Sequence, residues 1–246
     1  MSDPIEQEPQ AAPEGSDRPL RRLRATLRSR AYYRTLIKIH EAMRPETYLE
    51  IGIRKGDSLA LATSAAVAIG IDPEPLLTKP VGDNAEIFAM TSDDFFAMCD
   101  VREVLGGRDL DLALIDGMHL FEYVLRDFAN VERSATSETV VLLHDCLPVD
   151  AASAARERTT ALWTGDVWKS ALVLLRYRPD LSLTVVDAPP SGLVVVRGLD
   201  PASTVLDDNM ESILAEYAGL GFDHWERHRG EVLALVEDPE TVLAGL

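Results

Sequence analysis

A chain of 246 residues with 46% hydrophobic and 26% charged side chains has ordinary globular composition and is long enough for one large core plus modest additions. Its 41 acidic and 24 basic residues leave a net charge of -17, which excludes broad contact with nucleic acid or an anionic membrane surface. The two cysteines, Cys99 and Cys146, stand far apart and outside metal-ligand spacing, so neither a disulfide scaffold nor a cysteine zinc site is indicated. The start lacks a secretory signal pattern, and the longest apolar stretch, Leu59 to Ile71, is too short to span a bilayer. The expectation is a soluble cytoplasmic protein with no membrane span and no nucleic-acid partner.

Residues 1–17 are rich in Pro, Glu, Gln and Ala and cannot bury enough apolar surface to offset the entropy of ordering, which predicts a disordered tail. Over 18–44, Leu20, Leu23, Leu27, Leu36, Ile37, Ile39 and Met43 recur at helical spacing, with a break near Ser29 and Arg30 and an end at Pro45. This N-terminal helical layer carries Arg18, Arg21, Arg22, Arg24, Arg28, Arg30, Arg34 and Lys38, with no acidic residue between the first and the last. Such a face either pairs with acidic surface or with another subunit of a homo-oligomer, or docks an anionic substrate group.

After Pro45, short apolar runs alternate with helical stretches, the signature of a mostly parallel sheet. Strands are predicted at Tyr48–Ile53, Ala66–Ile71, Ala85–Met90, Leu110–Ile115 and Thr139–Leu143. Helices are predicted at Asp57–Ala66, Asp93–Leu105, Glu122–Arg133 and, after an irregular segment 146–167, at Val167–Arg176. Two further β-rich runs, Leu181–Val186 and Gly192–Arg197, are joined by a connection too short for a crossover helix, so they pair antiparallel. The predicted fold is a doubly wound α/β domain over 45–200 with a mostly parallel, seven-stranded sheet and an antiparallel C-terminal hairpin. Residues 201–246 read as a helical extension, with Trp225 and the Leu/Val repeats of 232–243 packing on the body.

In an open α/β sheet, ligands sit outside the carboxyl ends of the strands where the winding reverses, normally at strand one. There the chain reads Glu50-Ile51-Gly52-Ile53-Arg54-Lys55-Gly56-Asp57-Ser58, an E-x-G-x-x-x-G pattern rather than the dinucleotide G-x-G-x-x-G. Gly52 and Gly56 would admit close backbone approach to a ligand. Asp72, at the end of strand two and about twenty residues on, is placed for a ribose diol or for a turn cap. Thr91, Ser92 and Asp93 follow strand three, where their small polar side chains would reach an adenine edge or cap the next helix.

Together, Y-L-E-I-G-I-R-K-G-D-S, G-I-D-P, L-I-D-G-M-H-L-F-E-Y-V-L-R-D-F and V-V-L-L-H-D-C resemble the class I methyltransferases of methyltransferase family 24, related to macrocin-type sugar O-methyltransferases, over roughly residues 45–200. The terminal antiparallel hairpin belongs to the same resemblance. It implies S-adenosylmethionine (SAM) as cofactor, with Glu50, Gly52 and Gly56 near its methionine portion, Asp72 at the ribose, Ser92 or Asp93 near adenine, and Ser58 and Asp116 as further cofactor-binding residues.

Strand four ends in Asp116-Gly117-Met118-His119 and strand five in His144-Asp145, so four titratable groups converge on the cofactor's edge of the sheet. Methyl transfer to a hydroxyl requires alignment and removal of a proton. His119 or His144 would serve as general base, with Asp116 and Asp145 orienting the base, the acceptor or a metal. A divalent ion such as Mg²⁺ on Asp116 and Asp145 is the alternative way to lower the acceptor's pKa. Metal-dependent relatives differ here: His144 stands where one branch has a carboxylate, and Cys146 where another has an amide. Trp163, Asp166, Trp168 and Lys169 would roof the crevice and bind the acceptor, the alternative being that the tryptophans anchor the core. The expected activity is SAM-dependent O-methylation of a small polar acceptor, such as a sugar hydroxyl in glycan or natural-product assembly. The alternatives are a non-catalytic SAM-binding scaffold and an NAD-dependent oxidoreductase, the latter disfavoured by the missing third glycine and the terminal hairpin.

Overall fold

The computed structural model describes residues 18–78 and 80–246, with side chains from Ala31 onward. The tail expected over 1–17 and the arginine side chains up to Arg30 lie outside the described residues.

Strands β1 (Thr47–Ile51), β2 (Val67–Ile71), β3 (Ala85–Phe88), β4 (Leu112–Ile115) and β5 (Val140–His144) pair in parallel, and β6 (Ser182–Val186) and β7 (Leu193–Arg197) form the antiparallel hairpin. The sheet order is β3-β2-β1-β4-β5-β7-β6-β8, where β8 is Val236–Glu237, with β7 antiparallel to β5. Because β4 and β5 are covered on both faces, Leu112–Ile115 and Val140–Leu143 are unbroken apolar runs rather than alternating ones.

Successive side chains on each strand feed two cores. Leu49, Ile51, Ala113, Ile115, Val141 and Leu143 face the side covered by α2 (Ser92–Met98), α3 (Val101–Val104), α4 (Phe121–Arg133), α5 (Trp168–Tyr177), α6 (Val205–Tyr217) and α7 (Phe222–Leu233). Tyr48, Leu112, Leu114, Val140 and Leu142 face the other side, covered by α1 (Arg18–Met43) and α8 (Pro239–Ala244). Tyr32, Leu36 and Ile39 form the buried stripe of α1, and Lys38 pairs with Glu240 of α8.

Four elements depart from the sequence reading. The helix at 18–43 is continuous through Ser29 and Arg30. The helix expected at Asp57–Ala66 is only a 3-10 turn, Leu59–Leu61. Asn84 donates to the carbonyls of Ala62 and Ala65, and Ala66 N–H already pairs with Glu46, which draws this stretch out of helical geometry. The single helix expected at Asp93–Leu105 is split into α2 and α3, because Asp100 accepts from Glu103 N–H and caps a new helix. The sheet gains an eighth strand, β8 (Val236–Glu237), parallel to β6, inside a segment expected to be helical. Among the described residues no helix is long and apolar enough to cross a membrane.

Candidate active site

Parallel pairing sends the carboxyl ends of β1, β2, β4 and β5 to one edge, and backbone hydrogen bonds tie them there. Gly52 N–H donates to Ile71 and Asp116 N–H to Ile51. Gly52 has φ +92°, and a Cβ built on it would lie 2.1 Å from the Asp116 carbonyl oxygen. Its lack of a side chain is thus used by the end of β4, and the β1 turn abuts the strand-four acid directly. Gly56 packs against Leu77 and Val81, and no regular helix follows it.

Glu50 is fully buried, accepting hydrogen bonds from Tyr48 Oη at 2.8 Å and Ser58 Oγ at 2.5 Å. Burial pushes its carboxyl up to about 8 against the pull of these hydrogen bonds, and the charges of Asp116 and Asp72 add to the rise. No ion pair of a cation with Glu50 is seen among the described residues. Asp72 accepts from the backbone N–H of Arg54 at 2.7 Å and of Glu74 at 2.8 Å, and thereby holds the turn after β1 onto the turn after β2. Each of its oxygens retains a lone pair for a further donor.

At the end of β3, Thr91 caps α2, accepting from Asp94 N–H. Asp93 pairs with Arg126 at 2.7 Å, while Ser92 hydrogen-bonds Asp127 of α4. Asp127 was missed in the sequence reading. Burial drives its carboxyl up to about 7, the Ser92 hydrogen bond opposing, and it lies beside Gly117. The available signal was a carboxylate within the apolar stripe of Val124, Phe128 and Val131.

The four strand-end groups are brought together. His144 Nδ1 lies 3.0 Å from Asp116 Oδ1 and 3.5 Å from Asp145 Oδ2. His119 Nδ1 lies 3.1 Å from Asp145 Oδ2, and its Nε2 lies 3.7 Å from Asp116 Oδ1. Burial alone would lower the His144 pKa, but Asp116 and Asp145 outweigh it and raise it to about 9. Reciprocally, burial raises the Asp116 carboxyl, yet His144 and His119 bring it below its ordinary value. Two further residues complete the cluster, both unforeseen. Tyr32 of α1 donates to Asp116 Oδ2 at 3.4 Å and stacks on His144 with centroids 4.0 Å apart. Ser191, between β6 and β7, places its hydroxyl 3.4 Å from His144 Nε2. Tyr32 was legible as part of the stripe Tyr32, Leu36, Ile39, whereas Ser191 carries no local signal.

Of the four roofing residues only Trp163 reaches the cluster. Its carbonyl oxygen lies 2.8 Å from His119 Nδ1, and its indole stacks on the His119 ring at 5.0 Å and 8°. Gly165 permits this approach: it has φ +56°, and a Cβ there would strike the His119 carbonyl at 1.7 Å. The side chains of Asp166, Lys169 and Trp168 make their contacts away from the cluster. Asp166 accepts from Phe121 N–H, Lys169 Nζ and Arg156 Nη1, fixing the start of α4, and Trp168 packs against Trp225. All three are buried, since an ion pair and an indole placed under α4 and α7 serve the core. Two surface clefts, about 610 Å³ beside Ile37 and Leu61 and about 310 Å³ beside Leu172 and His224, lie away from this edge.

Asp116, His144 and Asp145 each offer one donor atom, all within 4.8 Å of one another. Mg²⁺ takes oxygen donors in near-octahedral geometry. Here one of the three donors is an imidazole nitrogen, so the set fits Mg²⁺ poorly.

Residues 49–146 match the family model described as a methyltransferase domain. The O-methyltransferase TomG from Streptomyces achromogenes, solved with SAM, is 16% identical, with a TM-score of 0.51 over 68% of this chain and 79% of that one. Cofactor-bound Rv0187 from MTB is also 16% identical, with a TM-score of 0.51 over 75% of this chain and 91% of that one. SAH-bound PaMTH1 of Podospora anserina is 12% identical, with a TM-score of 0.51 over 78% and 100% of the two chains. No curated protein matches the chain significantly. The strand order, the terminal hairpin and these neighbours establish that the chain has the Rossmann-like fold of class I methyltransferases, with the matched methyltransferase segment at its centre.

Proposed function

We propose that the protein is a SAM-dependent O-methyltransferase acting on a small polar acceptor, with a sugar hydroxyl as the acceptor favoured by the family-24 resemblance. The observation that carries this reading is the junction of the Gly52 turn with Asp116: the acids of the first two strands and the histidine–carboxylate cluster share one edge.

When bound, SAM supplies an electrophilic methyl group on a sulfonium. Glu50, a buried acid with no cationic partner among the described residues, favours a positively charged ligand portion near β1. Asp72 has acceptor capacity for a diol, and Ser92 with Asp127 supplies polar groups that a base edge could use.

The Trp163 carbonyl and the Asp145 carboxylate only accept, so His119 Nδ1 carries a hydrogen and a neutral ring leaves Nε2 with its lone pair. His119 Nε2 is therefore the group that takes the acceptor's proton. His144, held between two carboxylates and raised to about 9, keeps its proton at neutral pH and serves as a positioning residue.

Calorimetric titration with SAM and with NAD tests the cofactor, and a gain of one methyl group in mass on a candidate acceptor tests the reaction. His119→Ala should lower turnover by about 100-fold or more at unchanged SAM affinity. Binding of NAD without SAM would refute the assignment, and a fully active His119→Ala would remove its role as base.

A further inference from the structure

Resting on the reading that this edge methylates a sugar hydroxyl, we infer that the acceptor carries an oxyanion, and that Arg158 of the irregular segment before α5 is the residue that selects it. The acceptor is then a sugar acid or a sugar phosphate rather than a neutral sugar.

The Arg158 guanidinium carbon lies 5.9 Å from the centroid of the Trp163 ring, and that ring lies 5.0 Å from the His119 ring, nearly parallel to it at 8°. A single indole thus separates an exposed cation from the proposed base. The segment is pinned on both sides of Arg158. Trp163 Nε1 donates to the Ala155 carbonyl at 2.6 Å, and Arg156 pairs with Asp166 at 2.6 Å and with Glu122. A cation presented on such a closed loop loses less freedom on gaining a ligand than one on a free surface chain. At 5.9 Å it also stands off the ring, against 4.4 Å for Arg126 over Tyr123, so its donors remain available.

Charge distinguishes Arg158 from its neighbour. Arg156 is neutralised by two carboxylates, whereas no ion pair of Arg158 is seen among the described residues, although Glu157 stands next to it in the chain. With 41 acidic against 24 basic residues, the chain as a whole repels anions, and an anionic acceptor needs a local cation to hold it. Arg158 supplies one beside the proposed base, and its planar guanidinium matches the paired oxygens of a carboxylate or phosphate.

The order of groups along the edge then orients the acceptor. Asp116 and Asp145 flank both histidines, so the cluster itself disfavours a further anion and the oxyanion belongs at Arg158 instead. The half-buried indole, in contact with both His119 and Arg158, forms the apolar border along which the carbon skeleton of a pyranose would lie. The reacting hydroxyl, at His119 Nε2, and the oxyanion, at Arg158, therefore sit at opposite ends of one sugar ring.

The test is calorimetric titration of the full-length protein, with and without SAH, using methyl β-D-glucoside, methyl β-D-glucuronide and methyl β-D-glucoside 6-phosphate as matched probes. At least one anionic probe should bind about 10-fold or more tightly than the neutral one, and which of them does so separates a carboxylate from a phosphate acceptor. Raised salt should shrink the difference. Arg158→Ala should bring the three probes to similar affinity, and Arg158→Lys, which keeps the charge without the planar fork, should restore part of the preference. Circular dichroism checks folding, which an exposed side chain does not endanger. Equal affinity for the three probes, no binding of either anion, or an undiminished preference in Arg158→Ala would overturn the inference and leave Arg158 as a surface cation beside Trp163. Failure to bind SAH would count against the methyltransferase reading instead, and the titrations without SAH would still read the anion preference.

Discussion

Replacing Glu50 by Gln should change how stability depends on pH more than it changes stability at any one pH. The carboxyl is fully buried and ionises near 8 in the folded chain against an ordinary value of 4.5. A raised folded-state pKa means that the native protein holds a proton the unfolded chain releases. The favourable contribution is complete below about 4.5 and is lost as pH rises through 8. Each pH unit between these values costs about 1.4 kcal/mol, about 5 kcal/mol across the interval and about 3–4 kcal/mol between pH 5 and pH 8. Gln keeps a hydrogen-bonding group between Tyr48 and Ser58 but cannot ionise. Urea unfolding of both proteins at those two pH values isolates the residue, because Asp127, which also titrates high, is common to both. The wild type should lose about 3–4 kcal/mol more than the variant on raising the pH. Parallel pH dependences would refute the reasoning and show that water or relaxation stabilises the Glu50 anion. A cationic ligand at β1 should reduce the wild type's loss, since it pairs with the ionised form.

Gly52→Ala should cost about 2–4 kcal/mol, because the new methyl meets the Asp116 carbonyl at 2.1 Å on a positive-φ backbone; a urea midpoint close to wild type would contradict this close approach. Glu132→Gln should cost about 3–5 kcal/mol, measured by the same method, since it breaks the buried pair with Arg178 that Glu132 holds at 2.5 and 2.8 Å. Cys146, fully buried and with its thiol pushed up by burial, should resist alkylation while Cys99 reacts, which peptide mass spectrometry reads directly. Tyr32→Phe should cost about 1 kcal/mol in the folded protein, as the ring remains on His144 and only the hydrogen bond to Asp116 is lost.

Legibility was uneven for identifiable reasons. Apolar runs such as Leu112–Ile115 and Val140–Leu143 have few alternatives to a strand buried on both faces, and the short link between β6 and β7 allows only antiparallel pairing. The 57–66 segment misled because alanine and leucine favour a helix locally, while the demand of Asn84 for the Ala62 and Ala65 carbonyls is a contact across twenty residues. At Cys99 and Asp100 the competing signal was local, an aspartate capping a second helix, but it was hidden within an apolar pattern that continued past it.

The convergence of Asp116, His119, His144 and Asp145 was readable in the sequence, because parallel strands in a doubly wound sheet must deliver their carboxyl ends to one edge. Which partners those groups acquire was settled only by the tertiary structure. Tyr32, Trp163 and Ser191 arrive from an N-terminal helix, a long irregular segment and a hairpin turn. Asp166, Trp168 and Lys169 have their side chains buried in the core, while the Asp166 backbone still holds the His119 carbonyl. Strand periodicity constrains the direction and end of an element, whereas side-chain company depends on how distant segments pack, and burial, ion pairing and close backbone approach decide that only once the layers have assembled.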